Sequence, residues 1–344
     1  MSNITLIMKP TLACNADCKY CYFKDIRTQN KMSLEIFEKV INKLKSYNNI
    51  SFIWHGGEPM LMGLNFFNGI IKLQKDSKLH IKNNIQTNLI LLDKAWIEFF
   101  KKNCFGVSTS LDGIKEVHNI GRNNFDKVVN NIKELNRCNL KVGAVSVVSD
   151  YTLPYLYENF TLFSNLNLNV RINPQMCTPG NKDAITINTK SYEFAVRFYH
   201  DLWLGENNNN FRIEPTCEIL DYINMGKHPG CVLGEKSCVG KFPAILSNGD
   251  VIHCGRFVGS DHGFLGNVCE PEFSFGLDNK RVLYYHNMDI ERSIKCKDCK
   301  YFNLCHGGCF HNSLIPGNMG KDIFCEAYKN IFEHILTRQK QLGL

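Results

Sequence analysis

Alternation of strand-like and helix-like segments up to about residue 205 is the feature that most limits how this chain can fold. Short apolar or β-branched runs predict strands, and the segments between them repeat apolar residues at helical spacing. Six such repeats predict an α/β fold in which a parallel sheet, covered outside by helices, curls into a partial (β/α)6 TIM-like barrel. The carboxyl ends of its strands are then the expected place for chemistry. The predicted strands are residues 4–8, 50–54, 81–86, 106–111, 142–148 and 170–173.

Beyond the predicted barrel, the residue composition changes and the regular spacing of apolar residues fades. Residues 1–205 are predicted to form the barrel, and residues 206–228 a helical bridge that continues from a helix over 191–203. Residues 229–344 are dense in Gly and Cys, which predicts a second domain with little regular structure that metal holds together. A closing helix is expected over 322–341.

Composition narrows the class of protein further. The chain has 344 residues, 16 cysteines and a formal net charge of +7, without a block of Lys and Arg that would indicate a nucleic-acid partner. Its first residues, MSNITLIMKP, do not have the pattern of a signal peptide, and no long apolar run predicts a membrane span. We therefore expect a cytoplasmic protein whose cysteines bind metal rather than form disulfides.

Three cysteines stand in the loop after the first predicted strand. Cys14, Cys18 and Cys21 have the spacing C-x3-C-x2-C, so their thiolates can converge on one metal centre. Three ligands leave one position of a tetrahedral or cubane site open for a substrate or cofactor. A structural zinc site is the alternative, but it would need a fourth ligand, and no His lies close by on this loop.

Polar and glycine residues follow the next strands at the same predicted edge. The second strand runs into Trp54-His55-Gly56-Gly57-Glu58-Pro59, where paired glycines allow close approach of a ligand, or simply form a turn. The third ends in Gln86-Thr87-Asn88 and the fourth in Ser110-Leu111-Asp112-Gly113. Arg122, just beyond, offers a guanidinium to a carboxylate.

This order of motifs resembles the radical S-adenosylmethionine (SAM) superfamily. The resemblance implies that Cys14, Cys18 and Cys21 hold a [4Fe–4S] cluster whose open iron chelates SAM, which is cleaved to a 5′-deoxyadenosyl radical. It also implies SAM contacts from residues at the strand ends, with Arg171 and Asn173 as candidates on the far side. The implied cofactor-binding residues are Tyr20, Gly56, Gly57, Glu58, Pro59, Asn88, Ser110, Asp112, Arg122 and Arg171.

Eight further cysteines near the end of the chain are enough for two complete four-ligand sites. Two zinc ribbons are one interpretation, since C-x2-C pairs are common zinc ligands. The string of spacings resembles the SPASM extension of radical SAM enzymes, which implies two auxiliary [4Fe–4S] clusters and three clusters in all. The resemblance pairs them as Cys231, Cys238, Cys254 and Cys309 for one cluster, and Cys296, Cys299, Cys305 and Cys325 for the other.

SPASM enzymes mostly modify peptides or proteins, so the resemblance implies such a substrate and an oxidative reaction, with crosslink formation as our main hypothesis. Sulfatase-maturing members typically carry Asp, a base, directly after the cysteine that matches Cys254, whereas this chain has Gly255. His55, Asp250 and His253 are the candidates for the base that oxidation requires.

Other outcomes stay open at this stage. Formylglycine formation, small-molecule dehydrogenation and peptide epimerisation are rival reactions, and epimerisation would need a spare thiol such as Cys177 as hydrogen donor. A non-catalytic, cysteine-rich zinc-binding interaction protein is the rival outside enzymes. Expected partners are a reductant such as flavodoxin or ferredoxin and, since no winged-helix module precedes the first strand, a separate leader-binding protein.

Overall fold

A computed structural model of the protein describes residues 3–206, 211–227, 231, 237–315 and 320–342. Six parallel strands and the helices between them form the first part, as the sequence predicted. The strands are β1 (Asn3–Met8), β2 (Asn49–Trp54), β3 (Ile81–Gln86), β4 (Gly106–Ser110), β5 (Val142–Val148) and β6 (Asn169–Pro174). The helices are α1 (Leu34–Asn42), α2 (Gly63–Ser77), α3 (Lys94–Lys102), α4 (Lys115–Gly121), α5 (Phe125–Arg137) and α6 (Leu156–Asn165).

The remaining chain adds four short strands and six helices to the described structure. The strands are β7 (Ile213–Glu214), β8 (Ala244–Ile245), β9 (Asp250–Ile252) and β10 (Phe264–Asn267). The helices are α7 (Thr189–Gly205), α8 (Thr216–Met225), α9 (Lys280–Ile294), α10 (Phe302–Cys305), α11 (Phe310–Ser313) and α12 (Cys325–Leu342). The sequence interpretation included α7, α8 and α12 but not α9. The predicted boundary between residues 228 and 229 lies outside the described residues.

All ten strands belong to one open sheet with the order β10-β9-β8-β1-β2-β3-β4-β5-β6-β7. Strand β8 pairs in parallel with β1, through Ile7 with Ala244 and Met8 with Ile245. The cysteine-rich part therefore begins as a continuation of the barrel sheet, and the site at the end of β1 lies next to it.

Local sequence explains the helix starts and the core. Ser33 caps α1 by accepting a hydrogen bond from the N–H of Ile36 at 3.2 Å, as its position before an amphipathic run predicted. In strands β1, β2 and β5, fully buried residues alternate with partly buried ones, because successive side chains point to opposite faces of the sheet and one face is more completely covered than the other. Aromatic rings fill the space between sheet and helices, among them Phe37, Phe52, Trp54 and Phe67. No helix of the described chain is long and apolar enough to cross a membrane.

Candidate active site

A cavity of about 350 Å³ lies at the carboxyl ends of the barrel strands. The loop after β1 contributes all three N-terminal cysteines to its wall, and β2 to β6 contribute residues at their ends. Arg256 and His311 reach it from the cysteine-rich part. Of the predicted site residues, those in the wall are Cys14, Cys18, Cys21, Tyr20, His55, Gly56, Gly57, Asn88, Ser110 and Arg122.

The three thiols of the loop are not gathered as closely as the ligands of a single zinc ion. In tetrahedral zinc sites the thiolate sulfurs lie about 3.8 Å apart, given Zn–S bonds of about 2.3 Å. No three cysteine thiols of the described chain lie within 4.8 Å of one another. Burial raises the pKa of Cys14 to about 11 and also raises that of Cys18, so metal binding here must displace protons. A set of three thiols in one cavity wall, with a fourth coordination position open, fits a [4Fe–4S] cluster.

The paired glycines bring the loop after β2 against the backbone of the cysteine loop. The Gly57 N–H donates to the carbonyl of Thr11 at 3.0 Å, and the Glu58 N–H donates to the carbonyl of Ala13 at 2.8 Å. A Cβ atom on Gly57 would lie 2.0 Å from the Ala13 oxygen, so no other residue fits. Gly56 has φ +139°, a second reason for glycine. The two loops therefore form one rigid wall.

Glu58 and Pro59 support this wall from behind. Glu58 is 1% exposed, and its carboxylate accepts hydrogen bonds from the Thr87 hydroxyl and from the N–H groups of Met60 and Asn88, at 2.8 to 3.0 Å. Burial raises the pKa of Glu58 to about 7, although these hydrogen bonds act in the opposite direction. Pro59 is buried at the start of the 3-10 turn Pro59–Met62. Their direct contact with a cofactor stays a prediction.

Asp112 organises the polar side of the cavity without lining it. The carboxylate is fully buried and accepts from Arg122 Nε and from the Val147 N–H, both at 3.0 Å, and from the Tyr20 hydroxyl. Burial alone would lower the pKa of Arg122, but Asp112, together with Tyr20 and Cys18, outweighs burial and raises that pKa well above its ordinary value. Arg122 thus stays charged and also points Nη1 to Cys18 Sγ at 3.6 Å.

Arg171 was predicted to contact the cofactor, but it does not line the cavity. Its guanidinium pairs with Glu218 on α8 and is not part of the cavity wall, whereas Asn173, two residues along β6, is. Both residues project from the same face of β6, but Asn173 lies nearer the carboxyl end of the strand, where the cavity is. The role of Arg171 as a SAM contact therefore remains a prediction without support from its placement.

Only one of the three predicted bases reaches the cavity. His55 lines it, with Nδ1 accepting from the Gly56 N–H at 2.6 Å and Nε2 3.3 Å from the Tyr22 hydroxyl. Burial, and then the nearby Lys9, hold the pKa of His55 well below its ordinary value, so the ring is neutral.

Asp250 and His253 are placed away from the cavity wall. Asp250 accepts from the side-chain amides of Asn248 and Asn267 at 2.6 and 2.8 Å, as part of a turn next to β9. His253 is buried between Phe257 and Phe310, and its Nε2 lies 3.6 Å from Cys238 Sγ. Burial lowers its pKa to about 3. Their positions correct the expectation that either reaches a substrate in this cavity.

Residues 8–159 match the model of the radical SAM superfamily. This part of the chain, which carries the three loop cysteines, is a radical SAM domain. Over 98% of its length it is 27% identical to a cysteine-type anaerobic sulfatase-maturating enzyme of Clostridium novyi (strain NT), of which it covers 96%. It is also 28% identical to a serine-type anaerobic sulfatase-maturating enzyme of Bacteroides thetaiotaomicron, across 96% of this chain and 89% of that one.

Solved structures extend the similarity to the whole fold. The anSMEcpe structure with bound AdoMet superposes with a TM-score of 0.88 at 26% identity, covering 99% of this chain and 98% of that one. The anSMEcpe complex with AdoMet and Kp18Cys peptide gives a TM-score of 0.89 at 25% identity and 99% coverage of both. SuiB of Streptococcus suis, bound to its precursor peptide SuiA, shares the fold, with a TM-score of 0.67 at 17% identity, covering 94% of this chain and 76% of that one.

Two charged residues of this radical SAM enzyme escaped the sequence interpretation. Lys9 is fully buried at the end of β1, and its Nζ has no hydrogen-bond partner in the described chain. It lies 4.3 Å from the centroid of the Phe23 ring, and burial lowers its pKa to about 7. A Cβ atom on Gly255 would lie 3.3 Å from this Nζ. A lysine directly after an apolar strand, at the edge where chemistry was expected, was the available signal.

Arg256 is the second of these residues. Its Nη1 donates to Asn312 Oδ1 at 3.0 Å and lies 3.4 Å from Met176 Sδ and 4.0 Å from Cys309 Sγ. Burial disfavours the charged guanidinium of Arg256, but nearby Cys309 and Cys231 favour it, and the pKa of Arg256 is raised overall. Arg256 therefore brings a fixed positive charge to the cavity from the cysteine-rich part.

The distal cysteines gather in two neighbourhoods. Burial raises the pKa of Cys254 to about 12, and nearby Cys309 and Cys231 add to the rise. Cys238 has the same neighbours, with burial again the largest cause of its raised pKa. Elsewhere, burial raises the pKa of Cys305 to about 12, with contributions from Asp322 and then from Cys325 and Cys296. Lys329 lies near both Cys325 and Cys299. The assignment of these cysteines to two four-ligand sets stays a prediction.

Proposed function

We propose that this radical SAM enzyme uses SAM to oxidise a side chain of a peptide or protein substrate, and that the product is a crosslink. One observation carries the proposal. The three loop thiols, the polar residues at the strand ends and Arg256 line a single cavity that barrel and cysteine-rich part enclose together. A substrate in that cavity would contact both parts of the chain.

The residues present fit SAM beside a [4Fe–4S] cluster. Cys14, Cys18 and Cys21 would hold the cluster, which on reduction supplies a 5′-deoxyadenosyl radical from SAM. Arg122 keeps guanidinium donors free for a carboxylate because Asp112 takes only its Nε. Tyr20 and Ser110 complete the polar wall.

A peptide substrate is supported by two complexes of one relative. The anSMEcpe structures hold Kp18Cys or Cp18Cys peptides beside AdoMet, and this chain covers 99% of each of those chains. In the present structure the loop after β6 opens one side of the cavity with Asn173, Gln175 and Thr178. Backbone and amide groups of this kind suit the main chain of a peptide.

We further propose that both distal cysteine sets bind auxiliary [4Fe–4S] clusters, which makes three clusters. When bound, such clusters supply acceptors for the electron that an oxidative reaction releases. Cys254 belongs to the set nearest the cavity, since its neighbours Gly255 and Arg256 meet Lys9 and the cavity wall. A reductant such as flavodoxin or ferredoxin and a leader-binding protein remain the proposed partners.

Gly255 favours a crosslink over formylglycine. Sulfatase-maturing enzymes typically use an Asp base after the cysteine that matches Cys254. In this chain, a Cβ atom added to Gly255 would lie 3.3 Å from Lys9 Nζ and 3.9 Å from Tyr22 Oη. The nearest ionisable group to this space is the Lys9 amine, whose pKa burial lowers to about 7. Crosslinking at a thiol breaks a C–H and an S–H bond, so beyond the hydrogen atom taken by the radical it releases one proton and one electron. Neutral His55 in the cavity wall can accept the proton without a carboxylate at position 255.

Formylglycine formation is the second candidate, and the similarity across 98% of the chain to cysteine-type sulfatase-maturating enzymes supports it. Epimerisation has less support. It needs a hydrogen donor, and no cysteine outside the predicted ligand sets lines the cavity in the described structure. Cys177 is exposed, with its Sγ 3.6 Å from the carbonyl of Lys182.

Mass spectrometry of a coexpressed peptide tests the proposal. The enzyme is expressed anaerobically with a short peptide encoded beside its gene and, separately, with a cysteine-containing sulfatase peptide. Loss of two hydrogen atoms, with fragment ions that reveal a covalent loop, supports a crosslink. Replacement of the cysteine thiol by an aldehyde supports formylglycine instead. The Cys18→Ala variant is the matched control and must leave both peptides unchanged.

A further inference from the structure

Two histidines and an aspartate meet between helices α7 and α12, away from the cavity. His200 and Asp201 lie on α7, and His334 lies on α12. Their ligand atoms all lie within 4.8 Å of one another, and His334 Nε2 lies 2.9 Å from Asp201 Oδ1. None of them belongs to the cavity wall or to a predicted cluster.

His200 is the residue that packing does not explain. Its side chain is fully buried, and neither ring nitrogen has a hydrogen-bond partner among the described residues. A buried polar group without a partner costs about 1–3 kcal/mol. The ring faces the His334 ring edge to face, with centroids 5.5 Å apart. An imidazole kept at this cost beside a second imidazole and a carboxylate indicates a missing partner.

The protonation state suits a ligand role. Burial, and then the neighbouring His334, lower the pKa of His200 to about 4. The imidazole is therefore neutral at physiological pH, which is the form that binds metal. The Asp201 side chain is about 42% exposed, so a metal ion that it binds can also take a water molecule.

We propose that His200, Asp201 and His334 form a zinc site that fastens α12 to α7. Two imidazoles and one carboxylate are a common donor set for Zn²⁺, with a water molecule as fourth ligand. In a tetrahedral site with bonds of about 2.0–2.1 Å, neighbouring ligand atoms lie about 3.3 Å apart. The His334–Asp201 pair is at 2.9 Å and all the ligand atoms lie within 4.8 Å of one another, so small side-chain rotations would bring them to this spacing.

Arg338 is the competing cation and provides a sharp control. Its Nε lies 3.2 Å from the same Asp201 oxygen that faces His334. A carboxylate has two oxygens, so Asp201 can bind Zn²⁺ with one and Arg338 with the other. Because the guanidinium repels a metal cation, Arg338→Gln should bind Zn²⁺ at least as tightly as the wild type does.

The zinc site would stabilise helix α12, whose first residue, Cys325, is a predicted cluster ligand. Helix α12 begins at Cys325, nine residues before His334, which corresponds to about 13 Å along the helix axis. That distance keeps the zinc site separate from iron. It also means that zinc can be measured while the clusters stay in place.

The experiment uses the cluster-loaded enzyme. After dialysis against a chelator, equimolar Zn²⁺ is added, unbound metal is removed, and zinc and iron are measured by mass spectrometry. We expect one zinc per chain with iron unchanged. His200→Asn, Asp201→Asn and His334→Gln should each weaken zinc binding at least about 100-fold in chelator competition, with wild-type iron content. Hydrogen exchange in α12 should slow on zinc addition in the wild type but not in His334→Gln.

Two results would overturn the zinc site: a wild-type enzyme with full iron that retains no zinc, or His334→Gln and Asp201→Asn variants that retain as much as the wild type. Should His200→Asn not fold, these two variants at more exposed positions still decide the question. The outcome is independent of SAM cleavage, which tests the proposed function separately.

Discussion

Replacing Gly57 by alanine should separate the two loops that form the wall of the active site. The added Cβ atom would lie 2.0 Å from the Ala13 oxygen and 2.5 Å from the Leu12 oxygen, both of them backbone atoms. Since such contacts below 3.0 Å essentially never occur, the loop that carries Cys14 must move by at least about 1 Å. A displacement of that size at a reacting centre costs about 100-fold in rate, and overpacking costs about 1–3 kcal/mol in stability.

The assay is release of 5′-deoxyadenosine from SAM by the reduced enzyme, with iron content measured on the same sample. Gly205→Ala is the matched control, because its Cβ atom would have no neighbour within 4 Å. We expect Gly57→Ala to lose about 100-fold in rate, while Gly205→Ala keeps the wild-type rate. A Gly57→Ala enzyme with full iron and wild-type cleavage would refute the close approach on which the site is built.

Three further predictions follow from buried charges. Asp112→Asn removes the counter-ion of buried Arg122 and should lower the free energy of unfolding by about 3–5 kcal/mol in urea titration, whereas an unchanged value would show that the pair is not buried in solution. Lys9→Met should stabilise the cluster-free chain at pH 7 by up to about 5 kcal/mol, from a pKa that falls from 10.5 to about 7. The unfolded amine binds a proton between these values, so wild-type stability rises with pH above 7 and the advantage of Met should shrink toward pH 9; a constant difference would contradict this. Gly255→Asp places a carboxylate against Lys9 Nζ and should increase aldehyde formation on a cysteine peptide, and an unchanged product would show that the absent carboxylate does not select the reaction.

The barrel could be predicted closely from sequence because its pattern is local. Strands such as β5, predicted at 142–148 and found at Val142–Val148, consist of apolar residues bounded by turns. The helix over 280–294 was not predicted, since its apolar residues are few and its neighbours are rich in Gly and Cys. The pairing of β8 with β1 could not be predicted, because two-residue strands carry no periodicity.

The candidate site shows the same limit. Motif order placed the cysteines, the glycine pair and Arg122 around one cavity, because strand ends of a parallel sheet share an edge. It could not tell which polar residues face the cavity. Glu58 and Asp112 lie behind the wall with their oxygens already hydrogen-bonded, and Asp250 lies at the start of β9, away from the cavity wall. The contact between Lys9 and Gly255 joins positions far apart in sequence, and only the folded chain reveals it.

Anaerobic cleavage of SAM tests the central claim most directly. The reconstituted enzyme should hold about twelve iron atoms, four in each of three clusters. With dithionite and SAM it should release 5′-deoxyadenosine, and Cys14→Ala, Cys18→Ala or Cys21→Ala should release none. A wild-type enzyme with its full complement of iron that forms no 5′-deoxyadenosine would contradict the account.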